Sequence, residues 1–166
     1  MSGPHAHPGF SRLRTCRAVV VDLMLMLSVE QLNIVRRYVE STYPEEGGGL
    51  LLGAFENGRS VVREVRAIPN TWDVDAEKRR RYLIPGPLLW LNEEPAAEAR
   101  GLSIVGYFHS HPDHPAVPSD FDREHALPNW SYLIVAVHKG RAADALAWQL
   151  REDRSAFDPQ EMHHGN

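Results

Sequence analysis

The sequence predicts one domain of the mixed α/β or α+β class, a central β-sheet with helices packed on it. Three observations carry this expectation. A helix-period stretch over 29–42 is followed by two apolar runs joined at Asn57-Gly58, and three further apolar strands lie between residues 103 and 152. A chain of 166 residues holds one good core rather than two. Neither a repeat nor a linker divides it. The expected boundaries are a disordered start over 1–16, the folded domain over 17–154 and a frayed tail over 155–166.

Each element has a local reason. The run "AVVVDLMLML" reads as a strand, because Asp22 interrupts it and no small-x-small cleavage site follows, as a signal peptide would require. Ser28 with Gln31 three residues on is a capping-box signature. Leu32, Val35, Val39 and Thr42 then recur at helical spacing until Pro44 stops the helix. "GLLLGAF" (49–55) and "SVVREVRAI" (60–68) read as a hairpin, for which Asn57-Gly58 is a strong turn signal. The proline-bounded polar stretch 69–87 reads as a loop, with its basic run Lys78–Arg81 a solvated face. A second helix is expected over 88–100, kinked or restarted at Pro95 and stopped at Gly101. Strands follow at 103–111, 131–139 and 144–152, with a short helix starting near Ser119.

Composition removes several function classes. Hydrophobic content of 43 % with 24 % charged residues marks an ordinary globular protein rather than a disordered chain. A formal charge of −4 gives no reason to expect nucleic acid as a partner. No stretch approaches the ~20 apolar residues of a membrane span, and a cytoplasmic location is expected. The single cysteine, Cys16, can form no internal disulfide and rules out a thiolate-rich zinc site. Any metal must therefore be held by histidine and carboxylate.

"GYFHSHPDHPAVPSDFD" (106–122) concentrates such groups. His109 and His111 are two apart at a strand end, so both imidazoles project from one face. Asp122, in the first turn of the following helix, can return a carboxylate to the same point. Two histidines and one carboxylate form a three-ligand zinc site with the fourth position left for water. The same residues also make a plain helix start, with Ser119 as N-cap and Asp122 at N3. Both readings stand on the segment alone, and they are compatible.

"HSHP", six residues, then "SDFD" resembles the His-x-His-Pro-x6-Ser-x-x-Asp signature of the JAMM (MPN-plus) zinc metalloproteases. "YPEEGGGLLLG" (43–53) is similar to their upstream Pro-x-Glu-x-x-Gly motif, matching at Pro44, Glu46, Gly49 and Gly53. The resemblance covers about residues 28–152. It implies a JAMM/MPN-like domain holding one Zn2+ on His109, His111 and Asp122. It further implies that Glu46 is the general base, passing its proton to the leaving amine, and that Ser119 hydrogen-bonds the oxyanion. Glu45 is the rival base, and strand alternation allows only one of the pair to face the site. Gly47 and Gly48 depart from relatives that carry cysteine there.

The implied activity is that of a zinc metallo(iso)peptidase cutting after the C-terminal Gly-Gly of a ubiquitin-like or sulfur-carrier protein. The alternatives are a non-catalytic MPN-type scaffold and a JAMM peptidase of a bacterial ubiquitin-like conjugation or antiphage system. A zinc deaminase is excluded in its Pro-Cys-x-x-Cys form. A homodimer paired through the apolar amino-terminal strand is a further expectation.

Overall fold

The computed structural model describes residues 24–70 and 89–165. Met24–Ser28 form β1 and Val29–Thr42 form α1. Ser28 performs the handover: its Oγ accepts the Gln31 amide at 3.1 Å, and its own amide donates to Gln31 Oε1 at 2.8 Å. Both orphan donors of the helix start are thereby satisfied. Leu32, Val35 and Val39 form the buried stripe of α1 against the sheet. β2 (Gly48–Glu56) and β3 (Arg59–Ile68) pair antiparallel around a two-residue turn. Asn57 and Gly58 take φ of 49° and 74° there, the left-handed values that such a turn needs.

A single π-helical turn, Leu89–Glu93, leads into α2 (Glu94–Glu98), with Pro95 in its first turn and Gly101 at φ 71° just beyond. The expected second helix is therefore present but short. β4 (Ser103–Pro112), α3 (Asp120–His125), β5 (Ser131–His138) and β6 (Arg141–Leu150) follow. β6 starts three residues earlier than its apolar pattern suggests.

With two short strands near the carboxyl end, β7 (Phe157–Gln160) and β8 (Met162–Gly165), the strands form one mixed sheet in the order β7-β6-β5-β4-β2-β3-β1-β8. β4–β5, β1–β3 and β1–β8 are parallel and the other neighbours antiparallel. This is the expected class. Leu51 faces the α1 side with Phe108, Leu133 and Val135. Its neighbours Leu50 and Leu52 face the other side, with Leu89 and Ala97. A strand covered on both faces is apolar throughout rather than alternating, which explains "GLLLG".

Two expectations need correction. The tail is not frayed: Phe157–Gln160 form β7 on the outer edge of β6, and Met162–Gly165 form β8 on the outer edge of β1. The reason is backbone satisfaction, since the Leu25 amide finds the Glu161 carbonyl at 2.9 Å. Phe157 also packs edge-on against Tyr132 at 5.3 Å. For the same reason β1 is not a free edge for two-fold pairing, because β3 and β8 flank it. The start expected to be disordered, the rest of the amino-terminal apolar run and the basic run 78–81 lie outside the described residues. Among the described residues no helix is long and apolar enough to cross a membrane.

Candidate metal centre and active site

β4 and α3 bring three side chains to one buried point. His109 and His111 leave β4 on the same face, two residues apart. Pro115 to Pro118 carry the chain over to α3, whose first turn presents Asp122. His109 Nε2 lies 3.0 Å from His111 Nε2 and 3.0 Å from Asp122 Oδ1, and His111 Nε2 lies 3.4 Å from Asp122 Oδ2. All three residues are buried.

The surrounding bonds determine what this cluster can hold. Pro115 O lies 3.0 Å from His111 Nδ1. A carbonyl only accepts, so Nδ1 carries the hydrogen, and a neutral His111 then aims the lone pair of Nε2 at the cluster. Nε2 lone pairs and carboxylate oxygens crowded together away from water call for a cation. The spacing suits one, since a tetrahedral ion with bonds of about 2.0–2.1 Å separates its ligands by ~3.3 Å. Burial pulls the Asp122 carboxyl up, yet His109, His111 and Ser119 outweigh it and hold the group well below the usual carboxylate range. Burial lowers His109, whereas in His111 the Asp122 bond and charge overcome burial and raise it. The donor set fits zinc or a similar borderline divalent ion.

Ser119 meets the helix-cap expectation in full. Its Oγ accepts the Asp122 amide at 3.2 Å and donates to Asp122 Oδ2 at 2.6 Å, while its own amide donates to the same oxygen at 2.6 Å. The cap therefore orients the Asp122 carboxylate.

Glu46 lines the same cavity of about 580 Å³ as His111, Ser119 and Asp122, and Glu45 does not. The reason differs from the one expected from sequence. The two glutamates lie in a turn before β2, not on a strand, with the Glu45 amide donating to Thr42 O at 2.9 Å. Strand alternation thus does not select between them. Turn geometry does, and the charge of Glu46 reaches His111. Glycine at 47 and 49 also has a steric reason. A Cβ at Gly47 would overlap the Thr42 side chain, and one at Gly49 would overlap the Arg66 carbonyl and the Phe108 ring.

Several residues that shape the site escaped sequence reasoning. Asp113, at φ 56°, accepts the Tyr43 hydroxyl and the Lys139 amide, each at 2.9 Å, and so ties the Glu46 turn to the β4–α3 and β5–β6 connections. Arg154, in the stretch expected to mark the end of the domain, reaches the carboxyl end of α3. Asn70 and Ser110 bond the Glu46 turn itself. None carries a local signal, since each acts across 26 or more residues, or 24 for Asn70.

Comparison with known proteins agrees with this arrangement. The model of the prokaryotic homologues of the JAB domain matches residues 28–151. A probable TtuB-protein conjugate cleaving protease of Thermus thermophilus is 33% identical over 120 residues, 72% of this chain and 75% of that protein. A desampylase of Haloferax volcanii is 42% identical over 79 residues, 46% of this chain and 55% of that protein, so the chain spans about half of it. A JAB1/MPN domain protein from Archaeoglobus fulgidus superposes with a TM-score of 0.50 at 17% identity, over 84% of this chain and 98% of that one. At that identity the likeness speaks for the fold alone. With the family model spanning three quarters of its length, this chain belongs to the prokaryotic JAB (JAB/MPN) family.

Proposed function

We propose that this protein is a zinc-dependent isopeptidase that hydrolyses the amide bond after the C-terminal Gly-Gly of a ubiquitin-like or sulfur-carrier protein. The observation that carries the reading is the convergence of His109, His111 and Asp122, with Glu46 lining the cavity onto which His111 and Asp122 open. The names of the two relatives, a conjugate-cleaving protease and a desampylase, support a ubiquitin-like substrate.

His109 Nε2, His111 Nε2 and an Asp122 oxygen would hold the ion. Bound there, zinc supplies Lewis acidity that brings the pKa of a coordinated water to about 7. The protein's own groups do the rest. The Glu46 carboxylate takes a proton from the attacking water and returns it to the leaving amine, a role worth ~10²–10⁴-fold. Ser119 Oγ donates to the developing oxyanion. Its hydrogen now points at Asp122 Oδ2, so this service requires rotation of the O–H while the oxygen stays on the Asp122 amide.

The test is intact-mass spectrometry of zinc-loaded protein mixed with Gly-Gly carriers extended by a short C-terminal peptide. Loss of the extension directly after Gly-Gly, abolished by Glu46→Gln and by chelation, is the expected result. Cleavage that survives chelation would overturn the zinc mechanism.

A further inference from the structure

The peptide joining Glu46 to Gly47 is held at both of its polar atoms by side chains from two separate segments, one just past β3 and one in β4. Asn70 Nδ2, just beyond β3, donates to the Glu46 carbonyl oxygen at 3.1 Å. At the opposite edge the Gly47 amide donates to Ser110 Oγ at 3.0 Å, and the Ser110 amide donates back to Gly47 O at 2.9 Å. Ser110 is fully buried and stands between the two histidines in sequence, so it leaves β4 from the face opposite theirs.

The need for such a clamp follows from where Glu46 sits. It lies in a turn, where no sheet ladder orients its backbone, yet a general base must come within about 2.6–3.2 Å of the proton that it moves. A peptide unit is planar and rigid. Pinning its oxygen and its nitrogen from opposite edges fixes the plane, and the direction in which Glu46 Cβ leaves the backbone follows. The anchor at Ser110 belongs to the strand segment that carries His109 and His111. The spacing between the base and the ligands thereby runs through Ser110 as well as along the turn.

We infer that Asn70 and Ser110 are positioning residues that clamp the Glu46–Gly47 peptide and thereby hold the Glu46 carboxylate at the reaction centre. This rests on the reading of Glu46 as the proton carrier.

The experiment uses the zinc-loaded full chain with Asn70→Asp, which keeps the size but removes the donor, with Ser110→Ala, and with Ser110→Thr as the conservative rescue. Turnover is read on a linear fusion of a Gly-Gly carrier, beside zinc content, melting temperature and hydrogen exchange at the Gly47 amide. Asn70→Asp and Ser110→Ala should lower kcat by ~10–100-fold with KM within about twofold and zinc content unchanged. Ser110→Thr should restore most of the rate. Asn70→Asp should also speed Gly47 amide exchange by ~10-fold or more, although Asn70 does not bond that amide. On top of Glu46→Gln, neither substitution should reduce the residual rate further. Two failures are distinguishable. Wild-type turnover by Glu46→Gln would overturn the reading of Glu46 as the base. Wild-type kcat in Asn70→Asp and Ser110→Ala, beside an inactive Glu46→Gln, would overturn the positioning role alone.

Discussion

Arg154 closes the carboxyl end of α3 by donating to Ala126 O at 2.7 Å, and the same guanidinium reaches Glu124 O at 3.0 Å and Arg123 O at 3.2 Å. α3 has only six residues and presents Asp122, so one side chain from beyond β6 and the Ser119 cap together hold the Asp122 carboxylate in place. Arg154→Ala should lower stability by about 1–3 kcal/mol, the usual loss when hydrogen bonds to a charged donor are removed. Zinc affinity should fall by roughly 10-fold, because a partner that orients a ligand has gone. Thermal melting and competition with a chromophoric chelator would check both. Melting loss without any change in affinity would separate the cap from the metal site.

Removing a ligand should act on the ion before it acts on the fold. Asp122→Asn preserves shape but withdraws the anionic oxygen between two imidazoles. Zinc content after dialysis should drop from about one ion per chain to near zero, and activity with it. Elemental analysis beside circular dichroism distinguishes a lost ion from a lost fold.

Tyr132 makes stability sensitive to alkali. It is buried, its hydroxyl donates to Leu127 O at 2.8 Å, and its ring meets Tyr107 edge-on at 4.6 Å. Burial pushes its phenol well above the ordinary tyrosine range, against the Leu127 bond and the charge of Arg154, which lower it. An unfolded tyrosine loses its proton near ~10. Above pH ~10 the unfolded chain binds fewer protons than the folded one, so stability is full below pH ~10 and falls as pH rises beyond it. Denaturant midpoints should therefore fall steeply above pH ~10, and Tyr132→Phe should flatten that slope even though it loses the Leu127 bonds.

Gly47 is a packing requirement, whatever residue relatives carry there. A Cβ at 47 would press on the Thr42 side chain at the end of α1. Gly47→Ala should cost about 1–3 kcal/mol, as overpacking does. Thr42→Ala in the same chain should recover part of the loss, since the two positions are in contact. Chemical denaturation of the four chains of this cycle would measure the coupling, and strict additivity would argue against the clash.

The amino-acid sequence by itself determined the features whose causes are close in the chain. Ser28 with Gln31, Ser119 with Asp122, and Asn57 with Gly58 act within three residues, so their caps and turn were readable. The two-residue spacing of His109 and His111 put both rings on one face of β4 wherever that strand ended up. Tertiary structure alone decided what depends on distant partners. "FDPQEMHHG" has no apolar alternation that announces a strand, and it becomes two because β6 and β1 offer unpaired backbone edges. Glu46 rather than Glu45 lines the cavity, on a turn held by Asn70, Ser110 and the Tyr43–Asp113 bond, which span 24, 63 and 70 residues. Hydrogen bonds of that range have no local periodicity, because only the folded sheet brings their donors and acceptors within 3.1 Å.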